Sequence, residues 1–89
     1  MNTFLITFQT ENIENEQILV NNIKRIGKWA RITRNTYCIK VENLSTADIR
    51  DRIKSPIDER CIVFVVEISH SNWASFRLNA VITDWLKGV

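Results

Sequence analysis

The pattern of hydrophobic and polar positions predicts four β-strands. Thr3–Phe8 and Cys61–Ile68 are short, mainly apolar runs, and the residues of Lys28–Thr33 and Thr36–Val41 alternate with a period of two; both patterns are typical of β-strands. In the first segment both faces are largely apolar, which indicates a central strand. Arg34-Asn35 predicts the turn of a hairpin between the second and third strands, because asparagine tolerates left-handed backbone geometry.

A first helix is predicted after Asn12, which is a suitable N-cap. Leu19, Ile23 and Ile26 recur at i, i+4 and i+7 and form the apolar face of this helix. Gly27 follows at the position of a C-cap glycine. The pattern therefore predicts one amphipathic helix between the first two strands.

Two further helices are predicted in the second half of the chain. Ser45 is the expected N-cap of the second helix, with Asp48 at the N3 position. Glutamate or glutamine is preferred there, so we expect an imperfect capping box. Pro56 ends this helix, because the residue before a proline is disfavoured in helical geometry. The third helix is predicted from about Ser75 to Lys87.

The resulting order, β-α-β-β-α-β followed by a helix, predicts the α+β class. We expect one domain over residues 1–89: a ferredoxin-like βαββαβ sandwich with an antiparallel sheet, two helices on one face and an extra C-terminal helix. The last strand then lies at a sheet edge beside the first. It is apolar on both faces, and such an edge pairs with another chain unless something covers it. We therefore predict a homodimer with Val63, Val65 and Ile68 at its interface, or a C-terminal helix over this strand.

The composition of the chain indicates its cellular compartment and gives no sign of a cofactor. No stretch approaches the roughly 20 apolar residues that span a bilayer, and the N-terminal segment lacks the basic region of a signal peptide. Cys38 and Cys61 belong to no metal-binding or redox motif and are expected to be buried, reduced thiols. These features favour a cytoplasmic protein without a membrane partner.

Positive charge is concentrated in residues 18–41. The net charge of the chain is +2, whereas this segment has no acidic residue. With Trp29 it predicts a surface for DNA or RNA, provided that Trp29 and Arg31 share a face with Lys40. The alternative is a solvated helix end and an edge strand protected by charge. The predicted binding residues are Lys24, Arg25, Lys28, Trp29, Arg31, Arg34 and Lys40.

The residues with catalytic potential do not form a convincing site. Asp48 and Asp51 lie i, i+3 on one helix, and Asp58-Glu59 lie in a loop, but such acids are usually solvated. His70 stands between two serines without an orienting carboxylate. No catalytic residue, metal ligand or cofactor is therefore predicted.

Three aromatic residues near the C-terminus offer one further candidate. Trp73, Phe76 and Trp85 could form a ligand cage, but aromatic side chains in such a segment are more typical of a core or a dimer interface.

Five segments resemble a known family. They are TFLITFQ at 3–9, IGKW at 26–29, NTYCIK at 35–40, STADIRD at 45–51 and DWLK at 84–87. Together they resemble small bacterial SinR-like proteins, which are related to the CRISPR-associated second protein and to virulence-associated protein D. The resemblance implies a ferredoxin-like fold and a dimer, and some members of this superfamily are metal-dependent nucleases.

The nuclease members carry an aspartate at the end of the first strand, after an aromatic residue. Gln9 stands at the matching position here, after Phe8, and a neutral amide is a poor substitute for a carboxylate that holds Mg²⁺. The leading hypothesis is therefore a non-catalytic Cas-like homodimer that binds nucleic acid. A divalent-metal endonuclease and a protein-interaction or antitoxin-type module are the alternatives.

Overall fold

The computed structural model describes residues 1–57 and 60–88. Within them the strands and helices follow the predicted order. The elements are β1 (Asn2–Thr10), α1 (Ile13–Ile26), β2 (Lys28–Thr33), β3 (Thr36–Val41), α2 (Thr46–Lys54), β4 (Cys61–Glu67) and α3 (Ala80–Lys87).

The strands form one antiparallel sheet in the order β2-β3-β1-β4. β1 is central, as its two apolar faces predicted, and β4 lies at an edge beside it. The register places Phe4 opposite Ile39 of β3 and Glu67 of β4. This α+β arrangement is compatible with a ferredoxin-like fold.

One face of the sheet, here called the core face, packs against α1 and α2. Phe4, Ile6 and Phe8 alternate along β1 and are buried on this face. Each helix contributes a pair of fully buried side chains at i, i+4, and these pairs are Leu19 with Ile23 and Ile49 with Ile53. Burial of side chains of this size stabilises the fold by about 1.5–3 kcal/mol each.

α3 packs on the opposite face of the sheet, against β2. Ala30 and Cys38 lie directly opposite each other on that face and are buried. Lys40 fixes the helix end, because its ammonium donates to the carbonyl oxygen of Trp85 and lies 4.4 Å from the centroid of the Trp85 ring. The helix therefore covers the β2 side of this face and does not shield the β4 side.

The β4 side of the same face exposes large apolar side chains. Ile62, Phe64 and Val66 are 63%, 57% and 37% exposed, respectively. They alternate along the strand and lie opposite Gln9, Thr7 and Leu5 of β1. We call these three side chains the β4 apolar patch.

The helix ends explain two departures from the predicted boundaries. α3 begins at Ala80 and not near Ser75, since Arg77 has a left-handed backbone (φ 62°) and Asn79 is the N-cap, its side-chain oxygen accepting from the Val81 N–H at 2.8 Å. Gly27 is not a left-handed C-cap, because its backbone is extended (φ −172°). Glycine is needed there for another reason: a Cβ atom would lie 2.5 Å from the Lys40 carbonyl oxygen.

The other caps follow the sequence closely. The Asn12 side chain accepts from the backbone N–H groups of Glu14 and Asn15, at 2.7 and 3.2 Å. In α2 the capping box is complete and not imperfect, since the Ser45 hydroxyl and the Asp48 carboxylate each accept from the other's backbone N–H at 3.0 Å. Aspartate is therefore long enough to close the box in this helix.

The longest helix, α1, has 14 residues. Among the described residues, no helix combines the length and the apolar character needed to cross a bilayer.

Candidate nucleic-acid interface

The register of the β2–β3 hairpin divides the predicted basic surface between two faces. Trp29 lies opposite Ile39, whereas Lys28 lies opposite Lys40. Directly opposite residues of an antiparallel pair share a face, so Trp29 and Arg31 project on the core-face side, while Lys40 projects on the side of α3. The condition that Trp29 and Arg31 share a face with Lys40 is therefore not met, and Lys40 is not part of a surface with Trp29.

A smaller basic surface remains at the edge of the sheet. Trp29 is 42% exposed, and the Lys24 ammonium lies 4.6 Å from the centroid of its ring. Arg31 follows two residues later on the same side of the strand, and Arg25 is adjacent to Lys24 in the last turn of α1. We call these four residues the β2-edge surface.

The fold holds this surface in place from behind. The Trp29 ring lies 6.0 Å from the ring of Tyr37, at an angle of 53°, and Tyr37 is only 2% exposed. Gly27 connects α1 directly to β2, which keeps the basic last turn of the helix beside the strand. An edge strand with cations on it resists pairing with other strands, so this edge is suited to binding by side chains.

The cations of the β2-edge surface have no acidic partner among residues 1–57 and 60–88. The ion pairs in this part of the chain involve other groups. The Arg31 Nε donates to the Thr33 carbonyl oxygen at 3.3 Å, which leaves its terminal N–H groups for a ligand. The surface thus presents three positive charges and one aromatic ring.

The remaining predicted binding residues have other positions or partners. Arg34 lies at the hairpin turn and forms an ion pair with Glu16 at 3.2 Å. Lys40 binds the end of α3. Lys28 is exposed but lies on the same face as Lys40. These three cations are therefore separate from the β2-edge surface.

The residues predicted to form a dimer interface are not the ones that the structure exposes on β4. Val63 and Val65 lie on the core face and are partly buried against the core. The backbone N–H of Ile68 donates to the Thr3 carbonyl oxygen at 2.8 Å, and this residue is half-buried. The apolar surface that β4 offers to another molecule is instead the β4 apolar patch.

The candidate acids of α2 have structural partners. Hydrogen bonds from Ser45 hold the pKa of the Asp48 carboxyl below its usual range, and Asp51 accepts from the Arg50 Nε at 3.0 Å. Gln9 is exposed at the end of β1, opposite Ile62. Asp58 and Glu59 lie outside the described residues, and within those residues no three histidine, cysteine or acidic side chains converge as a metal site.

The serines beside His70 have partners as well. Ser69 accepts from the Thr3 N–H at 2.9 Å, and the Ser71 hydroxyl donates to the Ile68 carbonyl oxygen at 2.6 Å. Both hydroxyls therefore serve the turn after β4, and neither is arranged as a nucleophile with His70 as its base.

The two cysteines and the C-terminal aromatic residues differ in their burial. Both cysteines are free. Cys38 is buried, which raises its pKa to about 11, while Cys61 is only half-buried. Phe76 does not seal the core, because it is 86% exposed.

Comparison with protein-family models finds no match for this chain, and comparison with curated proteins finds none either. The resemblance to SinR-like proteins thus remains a prediction from the sequence.

Proposed function

We propose that this chain is a non-catalytic, Cas-like ferredoxin-fold homodimer that binds the backbone of nucleic acids through the β2-edge surface. The observation that carries the proposal is the exposed Trp29 ring with the Lys24 ammonium 4.6 Å from its centroid and Arg31 beside it on an edge strand. The strand order β2-β3-β1-β4 agrees with the split βαβ arrangement that such a fold requires.

The chemistry of this surface fits single strands better than duplexes. Arginine and lysine neutralise phosphates whatever the base sequence, and an aromatic ring stacks on an unpaired base. The Lys24 side chain is exposed, and lysine has a long stem with several rotatable bonds, so its ammonium can turn from the Trp29 ring to a phosphate when a base stacks there. Trp29 then supports the base, and Lys24, Arg25 and Arg31 hold the chain of phosphates.

Fluorescence anisotropy with a labelled oligonucleotide tests this assignment. The double variant Lys24→Glu/Arg31→Glu should abolish binding of DNA and RNA alike, and Trp29→Ala should weaken single-strand binding by about 1–3 kcal/mol with a smaller effect on a duplex. Arg52→Glu/Lys54→Glu makes the same change of charge on α2 and should leave most of the affinity. An equal loss in both double variants would show that only net charge matters.

A second copy of the chain is the proposed occupant of the free edge of β4. The β4 apolar patch lies on an edge strand whose outer backbone groups are unpaired within the sheet, and such an edge is a template for another strand. An antiparallel pair with its two-fold axis at Phe64 joins all of Cys61–Glu67 in both copies. It places Phe64 opposite Phe64 and Ile62 opposite Val66, so the β4 apolar patches of the two copies form one continuous apolar face.

A designed charge pair tests this register, because Ile62 of one copy lies opposite Val66 of the other on the same face. Val66→Lys should weaken the dimer, and Ile62→Glu/Val66→Lys should recover part of the lost affinity, because the two new charges attract each other across the interface. A double variant that is weaker than the single one would contradict the pairing of β4 with β4.

The β4 apolar patch also supports a second candidate function, a protein-interaction module that binds a strand of a different protein. A wild-type chain that stays monomeric at micromolar concentration would favour this function over the homodimer.

The nuclease alternative has a separate test. With Mg²⁺ or Mn²⁺ we expect no cleavage of DNA or RNA. Cleavage by the wild-type chain that is lost in Asp51→Asn would favour the nuclease function.

A further inference from the structure

A cavity of about 460 Å³ lies on the α3 side of the sheet, on the other face from the β2-edge surface. The start of β1, the turn after β4 and the end of α3 form its walls. Its volume falls in the range of small-molecule sites, about 300–1,000 Å³. The lining residues used below are Thr3, Lys40, His70, Trp73, Leu86 and Lys87.

The lining combines basic and apolar side chains. Lys40, His70 and Lys87 provide nitrogen groups, and no aspartate or glutamate is among the described lining residues. The Lys40 ammonium gives one of its three N–H donors to the Trp85 carbonyl oxygen, so the others remain for a ligand. Trp73, which is 41% exposed, and Leu86 supply apolar surface. This combination fits an anion that carries a planar group.

The wall that contains His70 is held firmly. The Thr3 N–H donates to the Ser69 hydroxyl at 2.9 Å, and the Ile68 N–H donates to the Thr3 carbonyl oxygen at 2.8 Å. A third bond, from the Ser71 N–H to the Ile68 carbonyl oxygen at 3.0 Å, closes the turn. These bonds keep His70 in left-handed geometry, with φ 61°, which is an uncommon conformation outside glycine. His70 is thus presented to the cavity by a turn fixed on β1.

We propose that this cavity binds a small phosphate monoester with a planar ring, such as a nucleoside monophosphate. Lys87 and His70 hold the phosphate, with Lys40 behind them, and the ring packs against Trp73. Charged hydrogen bonds to phosphate are stronger than neutral ones, so the phosphate supplies most of the affinity and the ring supplies orientation. This site is independent of polynucleotide binding, since the two surfaces lie on different faces of the sheet.

Titration of the ¹⁵N-labelled full chain with adenosine monophosphate tests the proposal, with adenosine and inorganic phosphate as partial ligands. Saturable shifts should appear at Thr3, Ser69–Ser71 and Lys87 with the monophosphate, and only weaker ones with either partial ligand. Lys87→Ala should raise Kd about tenfold. Lys54→Ala is the matched control, because Lys54 is likewise the exposed last residue of its helix, and it should leave Kd unchanged.

Three results would overturn the site: no saturable shift up to about 10 mM monophosphate, equal weakening in the Lys54→Ala variant, or shifts centred on Lys24 and Trp29 in place of the cavity. The variant Lys24→Glu/Arg31→Glu separates the two proposals. It should lose polynucleotide binding and keep the monophosphate affinity, so that either site can fail without the other.

Discussion

Phe64 offers the sharpest test of the proposed dimer. The side chain is 57% exposed in the single chain, and full burial of a phenylalanine stabilises by about 1.5–3 kcal/mol. Burying the remaining exposed part gives about 1–1.5 kcal/mol for each copy. The two-fold axis doubles this to about 2–3 kcal/mol, so Phe64→Ser should raise the dimer Kd roughly 30- to 140-fold.

Sedimentation equilibrium across micromolar concentrations measures this change directly. Ile13→Ser is the matched control, because Ile13 is a large apolar residue that is 73% exposed and belongs to α1, which packs on the core face and not on the face of the β4 apolar patch. The control should keep the wild-type Kd. Val65 is unsuitable for this test, since it packs against the core and its replacement would disturb folding. Equal Kd values for Phe64→Ser and the wild type would refute the reasoning.

Two predictions concern the stability of the fold. Gly27→Ala should lower the free energy of unfolding by about 2 kcal/mol or more, measured by urea denaturation, because its Cβ would meet the Lys40 carbonyl oxygen at 2.5 Å; an unchanged midpoint would contradict the close approach. Asp48→Asn should reduce stability at neutral pH, where the lowered pKa of Asp48 makes its carboxylate stabilising. The difference from the wild type should disappear as the pH falls below about 4, and a difference that persists at low pH would rule out the charge as its cause.

The sequence predicted the order of elements and the core of the helices well. Leu19 and Ile23 in α1 stand at the i, i+4 spacing of one helix face, so their period alone indicates the buried face. The cap at Asn12 was predicted for the same kind of local reason. Short-range patterns are sufficient for these features because each depends on contacts within one helix and its nearest strand.

The sequence alone did not show which residues of the β2–β3 hairpin share a face. Alternation shows which residues of one strand share a face, but not which face of the partner strand they join. Here the register shifts between Arg31 and Thr33, and Trp29 lies opposite Ile39 and not on the face of Lys40. The cations of residues 18–41 are therefore divided between the two faces of the sheet, and only the pairing of the strands shows this division.

The sequence also did not show which face of β4 is exposed to solvent. The strand is apolar on both sides, so its pattern contains no polar face to mark the solvent. Contact with α2 decides that Val63 and Val65 face the core, which leaves Phe64 and its neighbours exposed. The packing of α3 against β2 likewise depends on tertiary contacts that the sequence pattern does not show, and it explains why Lys40 binds the end of that helix.

The salt dependence of single-strand affinity tests the central claim most directly. Each copy presents Lys24, Arg25 and Arg31 on the β2-edge surface, and each phosphate contact on a single strand contributes a slope of about −0.7 in log affinity against log salt. Three contacts from one copy predict a slope of about −2, and six contacts from a dimer predict about −4. We expect a wild-type value within this range and no measurable binding by Lys24→Glu/Arg31→Glu; a wild-type chain that fails to retard any single strand at about 50 mM salt would contradict nucleic-acid binding.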